Sequence, residues 1–233
     1  MSIRREVFPF IIASIVLAAP IAALCCPCAG GTLAIVAIAY FLWFFRDPDR
    51  TPPDDPNLIL AGADGTIARI QDINPDEFKT IASFCGLDDD QIALFTKPSV
   101  KRVSIFLSLF SVHVNRAPIA GESRFLGYFP GEHLFTFTEK SSDVNQHNSI
   151  LITNASTSCL INQIVGPLCR RVVYWPDPDN AVTLEIGDRI GMMKFGSRLD
   201  MYFPGDDVEI TAKVGDKTAA GETPIATLRK EKE

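Results

Sequence analysis

The 233-residue sequence has no surplus of positive charge: 22 Lys and Arg stand against 28 Asp and Glu, for a formal net charge of -6. Without a basic stripe nothing can neutralise a run of phosphates, which argues against nucleic acid as a partner. Histidine is scarce, at three positions, and the six cysteines form no framework. Cys85, Cys159 and Cys169 are scattered singly, and Cys25-Cys26-Pro27-Cys28 has no second pair or nearby histidine to complete a tetrahedral shell. No metal site is therefore expected, and nothing demands an oxidising compartment. The most informative absence is of charge in one place, because residues 7–45 contain no Asp, Glu, Lys, Arg or His.

A helix that crosses a bilayer needs about 20 apolar residues, so this block is one long span with surplus or two short ones. Pro27, Gly30 and Gly31 favour two pieces, residues 7–24 and 32–45, and the shortness of the second predicts a transmembrane or re-entrant helical hairpin. Arg4 and Arg5 precede the block, and Arg46 and Arg50 follow it. A hairpin keeps both basic ends on the cytoplasmic side, where positive charge is favoured. The rival is a cleaved signal peptide, whose apolar core of roughly 7–15 residues this block far exceeds. Tyr40, Trp43, Phe44 and Phe45 beside Arg46 make a headgroup-level boundary. The expected organisation is a membrane anchor over 1–45, a linker over 46–57 stiffened by Pro48, Pro52, Pro53 and Pro56, and a β-rich domain over 58–233.

Beyond the linker the apolar period changes to two. Residues 58–60, 66–70, 103–109, 149–153, 158–165 and 172–175 read as short strands broken by Gly, Pro, Asn and Asp, which predicts a sandwich or barrel. One interruption is helical: Asn74 as N-cap, Pro75, Glu77, then Phe78, Ile81, Ala82 and Cys85 on one face, with Gly86 at the end. Asp88, Asp89 and Asp90 read as a solvated helix cap rather than a cation site. Residues 205–228 are strand, turn and strand, similar to the hairpins of lipoyl- and biotinyl-type folds, although such turns are generic. The fold class expected is mainly β, a barrel-sandwich-like domain with a short helical insertion and the N-terminal hairpin.

Few side chains offer chemistry. His133 and His147 sit among turn residues and are expected to be exposed, whereas His113 lies between Val112 and Val114 in a strand and is the candidate general base. Asp64, in Gly62-Ala63-Asp64-Gly65, is by default a turn residue. The Gly196-Ser197 pair joins an apolar run to the alternating Arg198-Leu199-Asp200-Met201-Tyr202-Phe203. Each of these alone has an ordinary structural explanation.

In combination they do not. Phe44-Phe45-Arg46-Asp47-Pro48-Asp49-Arg50, Ala63-Asp64-Gly65, the run from Ser104 to Pro118, Arg170-Arg171-Val172-Val173 and Gly191-Met192-Met193-Lys194-Phe195-Gly196-Ser197-Arg198-Leu199-Asp200 stand in the order seen in the short form of phosphatidylserine decarboxylase, which the chain resembles along nearly its whole length. The resemblance implies a proenzyme that cuts itself between Gly196 and Ser197 and converts Ser197 to a pyruvoyl group. That carbonyl takes up the substrate amine and the electrons released with carbon dioxide, so no external cofactor is needed. Ser197 is then the nucleophile, with His113 as base oriented by Asp64.

One departure stands out, because the longer family form has two histidines three apart and here the second is Arg116. Either His113 serves both self-cleavage and the later protonation, or Arg116 shares in binding the substrate carboxylate. The implied substrate is a membrane lipid with a serine headgroup, phosphatidylserine or archaetidylserine. The implied setting is the cytoplasmic side of the cell membrane, with the two cleaved chains staying associated and a homo-oligomer possible. The competing readings are a lipoyl-like membrane carrier or adaptor, with Lys194 as the only carrier lysine to consider, and a structural membrane protein with a β domain.

Overall fold

The computed structural model describes residues 1–95, 98–138, 140–167 and 172–229; Cys169, Arg170 and Arg171 lie outside the described residues. Two compact units divide the chain, Met1–Asp49 and Arg50–Glu233.

In the first unit, β1 (Ser2–Ile3) is followed by helices α1 (Phe8–Leu24) and α2 (Pro27–Phe44), then by β2 (Arg46–Asp47), which pairs antiparallel with β1. The helical stretches Arg5–Leu24 and Pro27–Phe44 are each long and apolar enough to cross a membrane. The break falls at Cys25-Cys26, earlier than the sequence suggested, because Pro27 starts α2 rather than ending a helix. Gly30 and Gly31 therefore sit inside α2, whose 18 residues give a length of about 27 Å. Gly30 lets the helices touch: a Cβ there would lie 2.5 Å from that of Ala22.

The second unit begins with β3 (Leu58–Leu60) and β4 (Gly65–Ile73), then helices α3 (Pro75–Phe84) and α4 (Asp89–Ala93). Asn74 caps α3 by accepting from the Glu77 N–H, and Asp88 closes a capping box with Gln91. There follow β5 (Val100–Leu107), β6 (Val114–Arg116), β7 (Gly121–Phe129), a short α5 (Ser141–Val144), β8 (His147–Thr153) and β9 (Ser158–Ile164). The chain continues through β10 (Val173–Tyr174), β11 (Val182–Leu184), β12 (Arg189–Met192), β13 (Ser197–Pro204), β14 (Val208–Ile210), β15 (Lys217–Thr218) and β16 (Pro224–Leu228).

Eight strands form one antiparallel sheet in the order β11-β7-β8-β9-β13-β5-β4-β15. It stays open, so the architecture is mainly β and sandwich-like without a closed barrel. Alternation along β13 decides what each face meets. Leu199, Met201 and Phe203 join Ile105, Ile150 and Ile161 against Ile59, Ile190, Val208 and Ile225 of the two three-stranded sheets, β14-β16-β3 and β10-β12-β6. On the opposite face Tyr202, Leu160 and Leu151 pack on Phe78, Ala82 and Phe95 of the helical insertion. The expected hairpin over 205–228 is present as β14 paired with β16, while β15 between them leaves to extend the large sheet beside β4.

Candidate active site

The chain reaches Gly196-Ser197 along β12, after which the Met193 N–H donates to the His113 carbonyl at 3.1 Å. The turn that follows is left-handed twice over, with φ of 51° at Phe195 and 68° at Gly196. Glycine adopts this freely, but a residue with a Cβ gives up about 1–2 kcal/mol, so Phe195 stores strain beside the bond. Ser197 is fully buried, and its hydroxyl donates to the Lys194 carbonyl at 3.1 Å across the same turn.

Strand register gathers the other candidates at this end of the large sheet. Ser197 opposes Leu107, and Thr66 opposes Phe106 in the next strand, which puts Asp64 two strands from Ser197, about 10 Å away at the usual spacing. Asp64 accepts from Arg50 Nη2 at 2.8 Å and from the Ala220 N–H at 2.8 Å. Arg50 also reaches Glu222 at 2.5 Å, and its hydrogen bond holds the Glu222 carboxyl below the ordinary range, with the charge of Arg116 adding to the effect. Arg116 is buried and donates to the Gly187 carbonyl at 2.9 Å. Asp64 and Arg116 thus belong to one ionic group with Arg50 and Glu222.

His113 immediately precedes β6 rather than lying in mid-strand, and it is fully buried. Its Nδ1 is 2.9 Å from the Ser111 carbonyl. A carbonyl can only accept, so Nδ1 carries the proton and Nε2 is the basic nitrogen of the neutral ring. The ring is oriented at Nδ1 by Ser111, a partner two residues away that sequence reasoning passed over.

His147, expected to be exposed, is buried: it opens β8 inside the large sheet and stacks on Phe129 with ring centroids 5.2 Å apart. Burial pushes its pKa below the ordinary histidine value, against a carbonyl contact from Asn145 that pulls the other way. Among the described residues no group of three or more His, Cys, Asp or Glu is placed to hold a metal ion.

Other residues at the turn were not singled out from the sequence. Thr136, buried, donates its hydroxyl to the Gly196 carbonyl at 3.2 Å. Arg198, buried on the face opposite Ser197, lies with Nε 3.0 Å from Asp200 and donates to the carbonyls of Thr136 and Thr138 at 3.0 and 3.1 Å. The sequence signals were the place of Arg198 and Asp200 in the stretch that carries the family resemblance and their alternation with apolar residues in β13, which says that two charges share a buried face but not what they hold.

Comparison with known proteins agrees with this setting. The family model described as Phosphatidylserine decarboxylase matches residues 37–226. A protein of Desulfotalea psychrophila named phosphatidylserine decarboxylase proenzyme is 34% identical over 195 residues, covering 83% of this chain and 82% of the relative. A protein of the same name from Syntrophus aciditrophicus is 35% identical over 197 residues, 84% and 83% of the two chains. A third, from Symbiobacterium thermophilum, is 33% identical over 227 residues, 97% of this chain and 95% of the relative. These relatives fall in one class, decarboxylases made as proenzymes, and carbon–carbon lyases by reaction. The chain belongs to the phosphatidylserine decarboxylase family.

Proposed function

We propose that this chain matures by cutting its own Gly196-Ser197 bond and then removes carbon dioxide from the phosphoserine headgroup of a membrane lipid, phosphatidylserine or archaetidylserine, leaving phosphoethanolamine. The observation that carries this reading is the turn itself: strained backbone at Phe195 and Gly196, a buried Ser197 hydroxyl, and a Gly196 carbonyl held by a hydrogen bond.

The chain's own groups and one water molecule suffice for maturation. The Ser197 hydroxyl attacks the Gly196 carbonyl carbon, the amide nitrogen leaves with a proton, and an ester to Ser197 Oγ replaces the peptide bond. A base then takes the Ser197 α-proton, the Cβ–Oγ bond breaks, and Gly196 departs as a carboxylate. Water hydrolyses the resulting double-bonded residue with loss of ammonia, leaving a pyruvoyl group at the head of the second chain. His113 is the assigned base: it immediately precedes β6, its carbonyl is bonded by Met193 just before the turn, and it has Nδ1 fixed and Nε2 basic. The same turn fits the product, since Ser197 already faces the apolar core side of β13 and is shielded from water. Once formed, the pyruvoyl group supplies an electron-accepting carbonyl for the substrate amine. Asp64 belongs to the ionic group at this end of the sheet, and Arg116 is the candidate for the substrate carboxylate.

A lipid substrate is supported by exposed apolar side chains near the bond. Phe135 and Phe137 flank Thr136 and stack 5.3 Å apart, and Leu109 and Phe110 follow the end of β5 that faces Ser197. The functional organisation proposed is an anchor over 1–45, a linker over 46–57 and a catalytic domain over 58–233, cytoplasmic by the charge of Arg4, Arg5, Arg46 and Arg50. The fragments should stay together, because β13 begins at Ser197 and lies between β9 and β5, both of which belong to the first fragment.

Denaturing gels with mass spectrometry test the reading. Wild type should yield fragments 1–196 and 197–233, the second blocked by pyruvoyl, and Ser197→Ala should stay whole. Wild-type protein that folds but remains at full length would sink it. Carbon dioxide release from each lipid, offered to the cleaved enzyme, identifies the substrate.

A further inference from the structure

The hydrogen bond from Thr136 to the Gly196 carbonyl lies on the atom where negative charge must grow if Ser197 attacks. We infer that Thr136 is a catalytic residue of maturation, its hydroxyl stabilising the oxyanion on Gly196 O; this rests on the reading that Gly196-Ser197 is the bond cut. When Ser197 Oγ bonds to the carbonyl carbon, the π electrons move onto Gly196 O. They return as the bond to the Ser197 nitrogen breaks. A neutral donor already in place strengthens as that charge develops, without further reorganisation.

Thr136 is held as such a donor has to be. Arg198 grips the carbonyls of Thr136 and Thr138, and its other terminal nitrogen donates to Ser142 Oγ, which in turn donates to Asp200 at 2.7 Å. Asn145 fastens the start of the same loop, donating to the carbonyls of Leu134 and Val165 at 2.8 Å each. The same carbonyl is walled by Gly166, where an added Cβ would stand 2.4 Å from Gly196 O and 3.4 Å from the Thr136 methyl. The oxygen therefore lies against both a hydroxyl donor and a glycine backbone, and the Arg198-Asp200 pair of β13 acts as a positioning device for the loop that carries the donor.

The test compares full-length Thr136→Val, which keeps shape and removes the donor, with Thr136→Ser, which keeps the donor. Conversion of precursor to fragments is followed on denaturing gels and counted on protein that resists limited proteolysis as wild type does. Thr136→Val should slow conversion by about 10²–10³-fold, as loss of an oxyanion donor does, and Thr136→Ser should stay within about tenfold of wild type. Gly166→Ala, which keeps the donor hydroxyl but crowds the oxygen, should also slow it. Equal rates for Thr136→Val and wild type, or equal slowing by Val and Ser, would overturn the inference. Should Thr136→Val not fold, Thr136→Ala takes its place under the same criteria. Failure of wild type itself to convert would instead defeat the proposed function, so the two failures are told apart.

Discussion

Gly196 has open space around the position a Cβ would take, with nothing within 4 Å, yet its φ is 68°. A methyl there meets no wall, so its cost is purely conformational. Gly196→Ala, made in a Ser197→Ala background that keeps the chain whole, should lower unfolding stability by about 1–2 kcal/mol, read from urea midpoints at constant m-value. A loss well above that would mean that a steric contact governs the turn. At Phe195 the same strain is native. His113 shows the other residue-scale rule: what fixes its imidazole is a backbone carbonyl, Ser111, that any residue type could have supplied.

At the scale of elements, β13 joins the two functions of the sheet. Its odd-numbered side chains carry Ser197 into the core side, and its even-numbered ones carry Arg198 and Asp200 under the loop that bears Thr136. Both charges are essentially inaccessible to solvent, so each relies on the other. Asp200→Ala leaves Arg198 buried with its countercharge removed and should cost about 3–5 kcal/mol, measured by chemical denaturation. An effect below about 1 kcal/mol would show that water or another acid compensates. The α1-α2 pair rests on a different economy, close backbone contact at Gly30 and Ala22 with no charge at all.

For the whole molecule, buried His147 ties stability to pH. Burial lowers its pKa in the fold, so between that lowered value and the ordinary one near 6.5 the unfolded chain binds the proton more readily. Stability from this residue is full above about pH 6.5 and falls as pH drops through that window. The urea midpoint should decrease from pH 7.5 to 5.5 in wild type, and the decrease should shrink in His147→Gln. An unchanged slope in the variant would assign the acid sensitivity elsewhere.

The sequence by itself determined the charge-free block and its division into two helices, the period-two domain, the capped helix at Asn74 and the family. These are written in local composition and spacing, where the physics acts over a few residues. Where a helix starts was legible less well, since a proline can end one helix or begin the next, and Pro27 begins α2. The burial of His147, the sharing of Arg50 by Asp64 and Glu222, and the reach of Thr136 to Gly196 were decided only by tertiary structure. Thr136 and Gly196 are 60 positions apart, as are Thr138 and Arg198. Nothing local marks one threonine among several as a donor to one carbonyl; that follows from sheet order, which places β13 between β9 and β5 and folds the loop before α5 over its end.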